Sequence, residues 1–181
     1  MKDIMKMKDK LIKALEGRVF EHGIIPTGEI NFYPELLKAC EQNICGRYNA
    51  SWTCPPAIGP MENHKNRILS FSHALIFTTK GDLEDSFDYE GMTKTGEEHR
   101  LLTREIHERF GGTNPVFGAG SCRVCEKCAY PEPCREPQKT YLSLEAAGIN
   151  VSDLSRAGGL RYNNGENTVR YFSIVLFNDT V

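Results

Sequence analysis

The pattern of apolar and polar residues predicts five amphipathic helices in this chain. Each combines apolar residues at helical spacing with a start or stop signal such as a proline, a capping residue or a glycine. The clearest begins at Thr95-Gly-Glu-Glu98, which resembles a capping box, and ends at Gly111-Gly112. The others are an N-terminal helix with the apolar stripe Ile4, Leu11, Ile12 and Leu15, and helices from Pro34 to about Cys40, from Pro60 through Leu69, and from about Tyr141 to Ala147.

Short apolar runs predict four strands between these helices: Arg18 to Ile25, His73 to Thr79, Val116 to Gly120, and Val169 to Phe177. The mixture predicts an α/β or α+β fold. A chain of 181 residues is the size of one ordinary domain. We therefore expect residues 1–181 to form a single domain, with a small central sheet flanked by helices and by cysteine-rich loops at about 40–56 and 118–137.

The composition argues against several classes of partner. With 22 Lys plus Arg against 24 Asp plus Glu, the net charge of -2 gives no general attraction to nucleic acid or anionic membranes. No apolar stretch approaches the roughly 18 residues of a membrane span. The N-terminal segment alternates charged with apolar residues and lacks the apolar core of a secretory signal. We expect a cytoplasmic protein without nucleic-acid or membrane partners.

Four cysteines near the middle of the chain form a C-x2-C-x2-C-x5-C run. They are Cys122, Cys125, Cys128 and Cys134. Thiolates two residues apart in a turning loop can face a common centre, and a close triad followed by a more distant cysteine is a common way to hold an iron-sulfur cluster. A zinc site more often divides its ligands into two separated pairs. The run predicts a [4Fe-4S] cluster, with zinc as the alternative.

Three further cysteines, Cys40, Cys45 and Cys54, precede this run and bring the total to seven. Seven is odd, so a disulfide framework would leave one thiol unpaired. The three could hold a second [4Fe-4S] cluster with one iron open to substrate, water or another ligand, or one of them could exchange roles with Cys134. At this stage the number of clusters and the partition of ligands stay open, and no catalytic residue is assigned.

Other polar residues near the cysteines have ordinary structural interpretations beside functional ones. His64 and His22 are omitted from the predicted ligands, because a lone histidine near a helix start is more often a surface or capping residue. His99 and His107 fall on the charged side of the long helix, which we interpret as a solvated face. The downstream loop also carries cations that could face an acidic partner or simply be solvated, namely Arg123, Lys127 and Arg135.

Several segments around the cysteines together resemble a family of uncharacterised, predicted metal-binding proteins found mostly in anaerobes. The segments lie within roughly residues 30 to 178 and are Cys45-Gly-Arg-Tyr48, Ser51-Trp-Thr-Cys-Pro-Pro56, Gly118-Ala-Gly-Ser-Cys-Arg-Val-Cys-Glu-Lys-Cys128, Tyr130-Pro-Glu-Pro-Cys-Arg135 and Ser143-Leu-Glu-Ala-Ala-Gly148. The resemblance implies a cysteine-bound metal centre and no established reaction.

The cysteine spacing is also similar to that of iron-sulfur flavoproteins, which bind a [4Fe-4S] cluster and FMN. The flavodoxin-like phosphate loop that such a protein needs is absent from this chain. Gly118-Ala-Gly120 leads into cysteines rather than into a helix, so we interpret it as a turn of close backbone approach.

The sequence contains no nucleophile elbow, Walker loop or H-E-x-x-H motif, so hydrolase and kinase functions lose support. The leading hypothesis is a cytoplasmic iron-sulfur protein that exchanges electrons with a partner enzyme in anaerobic metabolism. One alternative is an enzyme that uses an open iron on a small molecule. The other is a zinc-stapled structural or interaction module.

Overall fold

The computed structural model describes residues 6–178, which form five α-helices around one five-stranded sheet. The helices are α1 (Met7–Leu15), α2 (Pro34–Glu41), α3 (Met61–Leu69), α4 (Tyr89–Phe110) and α5 (Val151–Ala157). The strands are β1 (Glu21–Pro26), β2 (His73–Asp82), β3 (Val116–Gly118), β4 (Leu142–Ser143) and β5 (Thr168–Phe177). This α+β arrangement confirms the predicted fold class.

The sheet is built on the two longest strands, β2 and β5, which pair antiparallel from His73 opposite Phe177 to Asp82 opposite Thr168. The strand order is β1-β2-β5-β3-β4. All neighbours are antiparallel except β3 and β4, where Phe117 lies opposite Leu142. The first cysteine loop starts in the last turn of α2, which carries Cys40, and runs to α3. The second leaves the end of β3 as the sequence predicted.

Apolar residues on both faces of the sheet bury it between two helical layers. Along β2, Leu75 and Phe77 pack in a cluster with residues of α1 and α4, whereas Ala74 and Ile76 pack in a cluster with residues of α3 and α5. This alternation follows from the two-residue period of a strand. Fully burying a side chain of this size contributes about 2 kcal/mol, so the two cores give the cysteine loops a rigid base. Among residues 6–178, no helix is both long and apolar enough to cross a membrane.

Helix α4 begins at Tyr89 rather than at Thr95, so the predicted capping box is wrong. The helix is capped by Asp88, whose carboxylate accepts a hydrogen bond from the Gly91 amide at 2.8 Å. Gly96 is interior, and a Cβ on it would lie 3.0 Å from the ring of Tyr171. This glycine within the supposed capping box therefore allows the helix to pack closely on β5.

The predicted helix from Tyr141 to Ala147 is also wrong. Leu142 and Ser143 form β4 beside β3, and the Leu144 amide donates to the Gly118 carbonyl at 3.0 Å. Turns follow until Gly148, whose φ of 81° lies in the left-handed region that favours glycine. Pairing with β3 has overridden a local helical pattern. Of the N-terminal stripe, Leu11 and Leu15 are buried as expected, and Ile4 lies outside the described residues.

Candidate metal centre

The fold joins the two cysteine loops, which are distant in sequence, through side-chain hydrogen bonds. The Cys122 amide donates to the Thr53 hydroxyl at 3.1 Å, and the Trp52 indole donates to the Glu132 carbonyl at 2.8 Å. The Trp52 ring also meets the Tyr130 ring edge-on, with 5.0 Å between the ring centres. These contacts place the segment before Cys54 against the downstream cysteines.

The four downstream cysteines line one pocket, which we call the downstream pocket. It is defined by Cys122, Cys125, Cys128 and Cys134. Its remaining wall includes Ser51, Trp52 and Thr53 from the other loop. The free space is about 20 Å³, close to what one water molecule needs. This space has the size of a single ion, whereas a four-iron cluster requires these thiols to move apart.

Hydrogen-bond donors surround one sulfur of the downstream pocket. Burial alone would raise the pKa of the Cys128 thiol. The pKa is nevertheless lowered, because the thiol receives hydrogen bonds from the backbones of Tyr130 and Trp52 and from the Ser51 hydroxyl. At Cys122 burial prevails and raises the pKa of the thiol. A lowered pKa favours the thiolate, which is the form that binds metals. Donors aimed at sulfur also suit an iron-sulfur cluster.

The three upstream cysteines line a second and larger pocket. This upstream pocket is defined by Cys40, Cys45 and Cys54 and has a volume of about 230 Å³. Burial raises the pKa of the Cys40 and Cys54 thiols, and the nearby Cys45 raises both further. The three thiols therefore line the same pocket, and their role as metal ligands stays a prediction. The same pocket is lined by Gly120, Ser143 and Glu145.

The two pockets share a wall. Ser51 and Thr53 line the downstream pocket, and Cys54 of the same segment lines the upstream pocket. Ser51 and Thr53 are almost fully buried, and the Ser51 hydroxyl lowers the pKa of both Cys54 and Cys128. The structure thus divides the seven cysteines into groups of four and three that lie side by side.

The donor sets of both pockets fit a soft or borderline metal. All seven thiols are free, and thiolates are the preferred ligands of iron-sulfur clusters and of structural zinc. Within the described part of the chain, no three His, Cys, Asp or Glu side chains already stand in a metal-binding arrangement. Ligation therefore requires the sulfurs of each pocket to converge.

A third cleft, which the sequence analysis missed, adjoins the downstream pocket. This histidine cleft is defined by His64, Arg67, His107 and Tyr141 and has a volume of about 280 Å³. It shares three lining residues with the downstream pocket, namely Trp52, Thr53 and Thr140. Burial lowers the pKa of both histidines. The Nδ1 atom of His107 is buried and has no hydrogen-bond partner within residues 6–178. The cleft draws on separate elements, so no single motif revealed it.

The remaining histidines line neither cysteine pocket. His99 is fully buried in the core, where its ring nitrogens meet the hydroxyls of Thr79 at 2.9 Å and Ser173 at 2.8 Å. The prediction of a solvated helix face is therefore wrong at His99. His22 is exposed on β1 and lines neither cysteine pocket.

The cations of the downstream loop lie on its surface. Arg123, Lys127 and Arg135 are exposed, and the Arg135 guanidinium donates to the Lys127 carbonyl. Within the range from 6 to 178, none of the three forms a salt bridge. Their charge is therefore available to solvent and to other molecules.

Comparison with known proteins identifies the family to which this chain belongs. The profile of a family described as "Predicted metal-binding protein (DUF2284)" matches residues 23–177, which is most of the chain. The chain belongs to the DUF2284 family. Membership confirms the predicted metal-binding family, and the matched range includes all seven cysteines of this DUF2284 protein. No curated protein and no solved structure matches the chain significantly.

Proposed function

We propose that this DUF2284 protein is a cytoplasmic iron-sulfur protein that carries two adjacent centres and exchanges electrons with a partner protein. The observation that carries the proposal is the shared wall between the two pockets, in which Ser51 contributes to both sets of thiols. One set is Cys122, Cys125, Cys128 and Cys134, and the other is Cys40, Cys45 and Cys54.

The surroundings of the thiols favour iron-sulfur ligation over a structural zinc. Backbone donors at Cys128 suit the sulfur-rich surface of a cluster, and hydrogen bonds to sulfur are one of the means by which proteins set a cluster's potential. A domain with two apolar cores does not need a zinc staple to fold. Seven thiols in adjacent groups also exceed the four that a zinc ion takes.

The surface of the downstream loop supports the electron-transfer part of the proposal. Arg123, Lys127 and Arg135 lie on this loop and are exposed. Cations around a redox centre attract an acidic partner and raise the rate of encounter. The downstream centre is therefore the proposed contact for a partner, with the upstream centre beside it.

A pair of single substitutions tests whether there are two centres. Cys125→Ser removes a thiol from the downstream pocket, and Cys45→Ser removes one from the upstream pocket. If the proposal is right, each anaerobically purified variant loses part of the bound iron and sulfide and part of the reducing equivalents taken up in a dithionite titration. If both variants retain the full wild-type iron and electron uptake, the proposal is wrong. Ser86→Ala, at an exposed position that lines neither cysteine pocket, is the control.

The histidine cleft supports a second candidate function, an enzyme acting on a small molecule. Arg67 lies near both His64 and His107, where its charge lowers the pKa of each ring. A permanent cation beside two imidazoles suits a small carboxylate or phosphate compound. A library of such anions is added to the loaded protein and to Arg67→Gln. A spectral change that Arg67→Gln abolishes supports the enzyme, and the absence of any response across the library favours the simple carrier.

A further inference from the structure

The upstream pocket contains a carboxylate beside its three cysteines. Glu145 lines this pocket together with Cys40, Cys45 and Cys54. It is carried by the turn after β4, and it is close enough to Cys40 to raise the pKa of that thiol. Three thiols alone leave one position of a four-ligand metal site unfilled. A polar group that lines the same pocket is therefore a candidate for the fourth ligand.

The environment of Glu145 is incomplete without a further partner. Its Oε2 atom is buried and has no hydrogen-bond partner within residues 6–178. Burial raises the pKa of the carboxyl, and the amides of Glu145 itself and Gly120, with the Ser143 hydroxyl, only partly offset this effect. No lysine or arginine of the described chain forms a salt bridge with it. A buried carboxylate oxygen without a cation or a donor is rare in a folded protein.

The main chain, and not the carboxylate, holds the turn in which Glu145 lies. The Ala147 amide donates to the Ser143 carbonyl at 3.1 Å, and the Ile149 amide donates to the Leu144 carbonyl at 2.9 Å. The Ser143 hydroxyl accepts from the Ala146 amide at 2.9 Å. None of these bonds uses the Glu145 side chain. The turn therefore does not need the carboxylate for its main-chain bonds, and the interactions with the Gly120 amide and the Ser143 hydroxyl leave the Oε2 atom without a partner among residues 6–178.

We propose that Glu145 is the fourth ligand of the upstream centre, which then binds its metal through Cys40, Cys45, Cys54 and the Glu145 carboxylate. The inference rests on the upstream part of the proposed function. It does not depend on the identity of the metal, because carboxylate oxygens bind both zinc and iron. The histidines weighed as fourth ligands lie elsewhere, with His64 bonded to the Ile58 carbonyl at 2.9 Å in the histidine cleft.

Three variants of the full chain test this assignment. Glu145→Gln keeps the shape but replaces the charged ligand, and Glu145→Cys supplies a fourth thiolate. Glu35→Gln, an exposed acid on α2, is the matched control. The readouts are metal content, the rate of metal loss to a chelator, and the thermal unfolding of the metal-free protein.

The expected result for Glu145→Gln is loss of the upstream metal about 10- to 100-fold faster than from the wild type, as is typical when a group that helps to hold a metal is removed. Glu145→Cys should retain the metal and change its thiolate-to-metal absorption, and Glu35→Gln should match the wild type. The metal-free Glu145→Gln protein should unfold at or above the wild-type temperature, since a buried acid has been removed.

Two results overturn the inference. One is wild-type metal retention in Glu145→Gln. The other is a fall in the unfolding temperature of the metal-free Glu145→Gln protein that accounts for its metal loss, because this would assign the side chain a structural role. Cys45→Ser separates this failure from failure of the proposed function. If Cys45→Ser loses metal and Glu145→Gln does not, only the ligand assignment fails. If Cys45→Ser loses none, the upstream centre itself is absent.

Discussion

The Cys122 backbone amide donates a hydrogen bond to the Thr53 hydroxyl across 69 positions of the sequence, at 3.1 Å. Thr53 is almost fully buried, and its hydroxyl also lies 3.3 Å from that of Ser51. The first downstream cysteine is thus held by the loop that carries the upstream cysteines. This bond couples the position of Cys122 to that of the loop that carries the upstream cysteines.

Replacing Thr53 with valine should weaken both the loop contact and metal binding. Valine has the same shape but cannot accept a hydrogen bond, so the Cys122 amide loses its partner, at a cost of about 1–3 kcal/mol. We expect a lower unfolding temperature and metal affinity about 10- to 100-fold lower in chelator competition. Thr168→Val is the control, since its exposed hydroxyl donates to the Gly165 carbonyl, away from the cysteines. Equal effects of the two substitutions would argue against the coupling.

Trp52 gives the protein a built-in optical probe, because it is the only tryptophan in the chain and lies against the downstream cysteines. An iron-sulfur cluster absorbs visible light and quenches a neighbouring indole, whereas zinc has no such absorption. We expect tryptophan emission to fall strongly when the metal-free protein is reconstituted with iron and sulfide, and to change little with zinc. Cys125→Ser should reduce the quenching. Unchanged emission on full iron loading would place the cluster away from Trp52.

Buried His99 should make stability depend on pH. Burial lowers the pKa of His99 from 6.5 to about 3, so below pH 6.5 the unfolded chain binds a proton that the folded chain does not. Stability is therefore lost as the pH falls, by about 1.4 kcal/mol per pH unit for this group. The lowered pKa values of His64 and His107 act in the same direction.

Denaturant unfolding of the metal-free protein between about pH 5 and 6.5 checks the His99 prediction. His99→Gln should reduce the pH slope of the unfolding free energy by about one proton, whatever its effect on absolute stability. Ser86→Ala, at an exposed position without a titratable side chain, is the control and should leave the slope unchanged. A His99→Gln slope equal to that of the wild type would mean that His99 is protonated in the folded state.

The fold class and the long strands were easier to predict from the sequence than the positions of the helices. The strands at His73 and Val169 were predictable because buried apolar runs dominate their energetics. Local signals failed where tertiary contacts decided the outcome. The capping-box pattern from Thr95 to Glu98 lies inside α4, where Gly96 fits against Tyr171. The segment at Leu142 pairs with β3 instead of forming a helix.

The candidate site was predictable only as far as its cysteines carry spacing information. The compact run revealed Cys122 and its neighbours as one group, and the structure brings Cys40, Cys45 and Cys54 together as a second. Glu145 was missed because it lay in a predicted amphipathic helix. The histidine cleft was missed because His64 lies on α3 and His107 on α4, and only the folded structure brings these two residues together.

The exposed cations of the downstream loop should control the rate of electron transfer. Reduced protein should react with the anion ferricyanide faster at low salt, because charges separated by more than about 10 Å are screened at 0.1 M ionic strength. Replacing Arg123, Lys127 and Arg135 with glutamate should reverse this salt dependence. The matched control carries Lys8→Glu, Lys10→Glu and Lys13→Glu on α1, where all three lysines are exposed. Equal rates in all three proteins would mean that electrons do not leave the protein near the downstream loop.

The central claim is that the thiols of both pockets hold iron-sulfur clusters. Its most direct test is the metal and sulfide content of wild-type protein purified under strictly anaerobic conditions, measured together with the absorption spectrum. We predict brown protein with iron and sulfide in equal amounts, and a broad band near about 400 nm that bleaches on reduction. Colourless protein carrying stoichiometric zinc and no sulfide would contradict the claim and leave a zinc-stapled module in its place.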